Sequence, residues 1–143
     1  MDIGKLTGNR ASSEIVVCSV DSPVGEAIAI LAKRRIGAMP VTRAGKVVGI
    51  FSERDVVYRL AEEGTDCLAK KVGGVMTAPA ITVDRQTSVD DALGLMTRRR
   101  IRHLPVMEGE HMVGFISIGD LVKSRIVEVE QEAKAMRDYI ATA

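Results

Sequence analysis

Two Ser-x-x-Asp steps are the first places where this sequence offers chemistry: Ser52-Glu53-Arg54-Asp55 and Ser117-Ile118-Gly119-Asp120. Each opens a run of helical periodicity. A carboxylate at a helix start can accept two charge-assisted hydrogen bonds from a vicinal diol. The serine at the cap sets a hydroxyl and free backbone N–H groups where an anion can meet them. The same spacing is close to a capping box, which stabilises a helix start with no ligand present. Spacing alone leaves both readings open.

Catalytic groupings find no support. His103 and His111 flank a hairpin turn with no cysteine or carboxylate at ligand spacing, so no metal site is expected. Ser52 and Ser117 have no base at a spacing that suggests activation. Glycine-rich phosphate loops of the Walker or dinucleotide type are missing. The cysteines, Cys18 and Cys67, are too few for a disulfide framework and form no C-x-x-C pair, so they read as reduced. The expectation is a binding protein and not an enzyme.

The elements that must position these residues occur twice. Val24 to Val57 and Val89 to Val122 align without a gap at an offset of 65, with 12 of 34 positions identical. Unrelated segments of this composition would share roughly two or three, so the chain is a duplication. In the first copy Ser22 and Pro23 open a helix, and Val24, Ala27, Ile28 and Leu31 give it one apolar face. Lys33 to Arg35 suit the last turn electrostatically, and Gly37 is read as the stop. Ala38 to Thr42 and Val47 to Phe51 read as strands joined by a tight turn, with Pro40 in an edge or special position. Ser52 then caps a second helix that runs to about Glu63.

The lead-ins align less well. Ile15 to Val20 and Ala80 to Val83 are the expected lead strands, with a two-residue slip between copies. The expected division is a flexible lead-in at 1–13, a first unit at 14–66, a linker at 67–76, a second unit at 77–125 and a helical extension at 126–143. In that extension Val122, Ile126, Val129, Ala133, Met136 and Ile140 alternate four and three apart, a heptad-like seam. About 22 residues of helix extend roughly 33 Å. Two readings stand: a helix that folds back on its own unit, or one that pairs with a second subunit.

Composition sets the outer bounds. A chain of 143 residues, 46% hydrophobic and 27% charged, suits one compact domain or two fused halves. Aromatics at 3% with no Trp argue against base-stacking on single-stranded nucleic acid, and a net charge of +1 gives no field for duplex DNA. No signal-peptide pattern and no run of 18 apolar residues occurs, so a cytoplasmic protein without a membrane span is expected.

The duplicated unit resembles the CBS domain, and the pair resembles a Bateman module of the stand-alone bacterial type. The likeness rests on Arg35-Ile36-x-x-x-Pro40-Val41 and Val48-Gly49-Ile50-Phe51-Ser52-x-x-Asp55. It is repeated in Ile101-x-x-x-Pro105-Val106 and Val113-Gly114-Phe115-Ile116-Ser117-x-x-Asp120, and covers roughly residues 12 to 125. It implies an α/β (α+β) fold: tandem CBS domains, each a small three-stranded sheet with two helices, about a pseudo-twofold axis. It also implies two clefts that hold adenine nucleotides, and a homodimer acting on a downstream protein.

The resemblance assigns roles residue by residue. Asp55 and Asp120 would take the ribose hydroxyls, and Ser52 and Ser117 the phosphate. Arg102 and His103 match the basic pair that reaches the phosphate, while Gly37 and Ala38 hold those positions in the first copy. On this reading the Asp120 cleft has its own cation and the Asp55 cleft borrows Arg54. A solvated basic helix end is the alternative for the pair. His103 would also make binding pH-sensitive. The lead strand of each copy would serve the other's aspartate: Val16 and Val17 with Asp120, and Thr77, Ala80 and Ile81 with Asp55. Core packing is the alternative for the aliphatics.

The function expected is an adenine-nucleotide sensor, with AMP first and ATP, ADP or NAD(H) behind it. A ligand-free dimeric scaffold that regulates a partner is the rival. S-adenosylmethionine or a nucleic acid as ligand rests on the breadth of the family alone.

Overall fold

The structure is a computed structural model that describes residues 1–7 and 15–142. Two three-stranded sheets, ordered β1-β2-β3 and β4-β5-β6, form its two halves. The first half comprises β1 (Cys18–Ser19), α2 (Val24–Arg34), β2 (Ala38–Arg43), β3 (Lys46–Ser52) and α3 (Glu53–Glu63). The second comprises β4 (Val83–Asp84), α4 (Val89–Arg99), β5 (His103–Glu108), β6 (His111–Ser117) and α5 (Ile118–Thr142). A short helix α1 (Ile3–Thr7) precedes them. These are tandem CBS-type units, mixed α/β, with a long C-terminal helix.

Each core forms where the apolar face of a helix meets its sheet. Val24, Ala27 and Leu31 of α2 pack on Met39, Val41 and Phe51, all buried. Val89, Ala92 and Met96 of α4 pack on Leu104, Val106 and Ile116, with Leu121 of α5 closing the layer. In each half the first strand runs parallel to the second and the hairpin is antiparallel. Pro40 and Pro105 sit in the middle strands, opposite Ile50 and Phe115.

Several expectations are corrected. The lead strands show no slip: Cys18 pairs with Val41 and Val83 with Val106, so the offset of 65 holds through both. Both strands are two residues long, shorter than read. Helix α2 stops at Arg34, before Gly37, because Arg35 turns left-handed at φ 53°, and Arg100 repeats this at φ 55°. The backbone N–H of Arg35 and Ile36 then bond Ala32 and Leu31 carbonyls, which satisfies the helix end without glycine.

Residues 1–7 are packed, contrary to the expected flexible lead-in. Ile3 is fully buried in the second core, and burial of such a side chain contributes about 2–3 kcal/mol. The rest of that lead-in, 8–13, lies outside the described residues. The linker is packed as well: Cys67 is buried, and Val72 and Val75 join the first core.

These two lead-ins are themselves a repeat. Val72 N donates to Ser22 O and Gly73 N to Val20 O; Ile3 N donates to Thr87 O and Gly4 N to Arg85 O. Lys71 bridges Pro23 as Asp2 bridges Ser88. Each lead-in therefore docks on the half that does not follow it directly in the chain. Gly49 and Gly114 make room for them. A Cβ on Gly49 would lie 2.7 Å from Met76 Sδ, and one on Gly114 would lie 2.7 Å from Thr7 Cγ2.

Candidate functional site

Both Ser-x-x-Asp steps are capping boxes. Ser52 N donates to Asp55 Oδ2 at 2.9 Å, and Asp55 N donates to Ser52 Oγ at 3.3 Å. Ser117 N and Asp120 Oδ2 stand at 2.9 Å, and Asp120 N and Ser117 Oγ at 3.1 Å. The purely structural role is therefore present in both copies. It leaves Oδ1 of each aspartate for other partners. Thr77 Oγ1 donates to Asp55 Oδ1 at 2.9 Å.

Two clefts lie between the halves. One, of about 340 Å³, is lined by Ser52, Arg54, Asp55, Thr77, Ala80 and Ile81, and from the other side by Arg100, Ile101, Arg102, His103 and Ser117. The second, of about 470 Å³, is lined by Val16, Arg35, Ile36, Gly37, Ala38, His103, Phe115, Ser117 and Asp120, with Thr7 and Ile15. Gly37, Ala38, His103 and Ser117 line both, and a Cβ on Gly37 would stand 3.8 Å from His103 Cε1. The two halves meet near these residues.

Thr77, Ala80 and Ile81 line the cleft that holds Asp55, and Val16 lines the cleft that holds Asp120. Val17, which precedes β1, lines neither cleft and is exposed. The assignment of Arg102 to the Asp120 cleft is corrected: it lines the Asp55 cleft. The halves face each other, so Arg100 and Arg102 line the cleft of Asp55, and Arg35 lines the cleft of Asp120. Arg54 Nη1 bonds the Arg100 carbonyl across this gap at 3.0 Å.

The asymmetry therefore falls on one side. Arg54 corresponds to Gly119 and Arg102 to Gly37 at the offset of 65. Both arginines without a counterpart converge on the Asp55 cleft, where Arg100 joins them. The Asp120 cleft holds Arg35 and the shared His103. Arg35 and Arg100 lie outside the residues that the sequence marks for the site; the repeated Arg-Arg-Ile is the signal that carries them.

His103 stacks on Phe115, with ring centroids 5.5 Å apart and planes 14° from parallel. Burial, aided by the Arg102 charge, pushes its pKa below the ordinary histidine value, against the opposing pull of Asp120 and Glu53. It is a neutral imidazole near pH 7 and a cation only at lower pH. Among the described residues no group of three or more His, Cys, Asp or Glu side chains could hold a metal ion. Burial likewise raises the Cys18 thiol to about 11, which leaves it protonated and unreactive.

The sequence of each half, matched at residues 5–62 and 72–126, fits the family model of the CBS domain. The chain belongs to the CBS-domain family. A CBS domain-containing protein, CBSX3, mitochondrial, of Arabidopsis thaliana is 34% identical across 97% of this chain and 70% of its own length. The crystal structure of a CBS-domain containing protein from Agrobacterium tumefaciens is 36% identical, covers 87% of this chain and 99% of that one, and superposes with a TM-score of 0.82. CBSX2, solved in complex with AMP, shares the fold at a TM-score of 0.74 and 22% identity over 87% of this chain and 96% of that one. Among the described residues no helix is long and apolar enough to cross a membrane.

Proposed function

We propose that this CBS-domain protein is a regulatory sensor that binds an adenine nucleotide, AMP before ATP, ADP or NAD(H), between its two CBS domains. The observation that carries this reading is the convergence of Arg54, Arg100 and Arg102 on the cleft of Ser52 and Asp55. A carboxylate at one end and guanidinium groups near it suit a ribose and a phosphate together. CBSX2, whose fold this chain shares, holds AMP. Ala80 and Ile81 supply apolar lining for a base, and Thr77 orients the aspartate. The Asp120 cleft, with Val16, Ser117, Asp120 and His103, is the second and less cationic site.

The mechanism is population shift. A nucleotide touching both halves favours one relative orientation, and its differential affinity sets how far the equilibrium moves. The domains are assigned to 14–66 and 77–125, with 67–76 packed onto the first. The protein acts as a cytoplasmic homodimer on a downstream protein and is not itself a catalyst.

Isothermal titration with AMP tests the reading. Binding should be present and should weaken at least tenfold in Asp55→Ala and Arg102→Ala. Absence of heat in the wild-type chain, with no shift in its melting temperature, favours the ligand-free scaffold.

A further inference from the structure

We infer that the exposed seam of α5 pairs with the same helix of a second copy, parallel and in register. The helix runs 25 residues, about 37 Å, and only its first turns touch its own half. Leu121 and Ser124 are buried there, and Arg125 bonds Asp90 at 3.7 Å and Glu128 at 3.2 Å. Residues 131–142 are exposed throughout.

The seam does not coincide with that docked face. At about 100° per residue, Val122, Ile126, Val129, Ala133, Met136 and Ile140 centre about 130° around the helix from Leu121 and Ser124. The five larger side chains of this seam stand 43–67% exposed. A fold-back onto the chain's own half, the other sequence reading, is not what α5 does. Steps of four and three place Ile126, Ala133 and Ile140 in one core layer set and Val122, Val129 and Met136 in the other.

The flanking charges select the occupant. In a parallel pair each residue preceding an isoleucine-layer position faces the one five further along on the other helix. Arg125 then meets Glu130 of the partner subunit, and Glu132 meets Arg137 of the partner subunit; the twofold axis repeats both. The antiparallel pairing that keeps all six seam positions sets Glu130 against Glu130 of the partner subunit, and Glu132 against Glu132 of the partner subunit. Antiparallel registers shifted by a heptad leave two of the six seam positions uncovered. A second copy in parallel register is the occupant that covers the seam and satisfies its charges.

The inference gives the proposed homodimer its surface and does not depend on nucleotide binding. Light scattering on the full chain should return a dimer. Met136→Cys should oxidise to a covalent dimer, because parallel register sets the two positions side by side. Glu132→Lys should weaken association about tenfold, and Glu132→Lys/Arg137→Glu should restore it. A dimer that fails to cross-link at position 136 and ignores Glu132→Lys overturns the seam and leaves the homodimer standing. A monomer overturns both. Circular dichroism that matches wild type would show that the variants remain folded.

Discussion

The hydroxyl of Thr77 donates to Oδ1 of Asp55 at 2.9 Å, while Oδ2 of the same carboxylate holds the cap of α3. The lead-in to the second half thus fixes the side chain proposed to bind ribose in the first. Two backbone bonds between Thr77 and Ile50, each 2.9 Å, hold that lead-in in place. Thr77→Val keeps the shape and removes the orienting bond. It should cost about 0.5–1.5 kcal/mol in chemical denaturation, since the site is exposed, and weaken AMP about threefold to tenfold. Unchanged affinity at reduced stability would reduce Thr77 to a structural role.

The paired left-handed arginines predict a trade between stability and binding. A non-glycine residue at φ near +55° costs about 1 kcal/mol, and glycine adopts it without strain. Arg35→Gly and Arg100→Gly should each raise stability by about 0.5–1 kcal/mol. Arg100→Gly should also lower AMP affinity severalfold, since Arg100 lines the Asp55 cleft. Thermal melts with and without AMP give both quantities from one sample set. Strain retained in both copies at the cleft mouths fits a demand for the side chain there.

Much of this was legible, and the failures have definite causes. The offset of 65 from Val24 to Val57 gave both hairpins, both capping boxes and the apolar faces of α2 and α4. It failed before residue 15 because the docked lead-ins follow a different offset: Ile3 and Gly4 stand where Val72 and Gly73 do, 69 residues on. The expectation of Arg102 beside Asp120 fails for a related reason. Proximity in sequence to Asp120 says nothing of which half it faces, and that is decided by how the halves pack. Arg35 and Arg100 hid in a run whose charge already had an explanation at the helix end.

His103 makes stability and binding depend on pH in opposite senses. Its folded pKa lies below the ordinary value near 6.5 because of burial and Arg102, with Asp120 and Glu53 pulling the other way. Between the two values the unfolded chain holds a proton that the folded chain lacks. Its contribution to stability is thus complete above about 6.5 and is lost as pH falls through the folded pKa. A bound phosphate would raise that pKa again, so AMP binding should take up a proton at His103 and tighten as pH falls toward the folded value of the free chain. Titrations in buffers of different ionisation enthalpy measure the uptake, and His103→Gln should abolish it. An uptake that survives this variant would assign the proton elsewhere.

The charge difference between the clefts can be erased by substitution at the two glycines that lack arginine. A Cβ on Gly37 comes no nearer than 3.5 Å to Glu53 Oε1, and one on Gly119 no nearer than 3.6 Å to Ser117 Oγ. Neither glycine is among those with positive φ, so neither site demands glycine for its backbone. Gly37→Arg/Gly119→Arg places guanidinium groups at the Asp120 cleft in the positions that Arg102 and Arg54 hold at the other. Wild type should show one tight AMP site per chain, at Asp55. The double variant should show two, with the added site lost in Asp120→Ala and the original lost in Asp55→Ala. A single site that follows Asp120 in the wild-type chain would reverse the ranking of the clefts and show that the arginines at Asp55 serve something other than a phosphate.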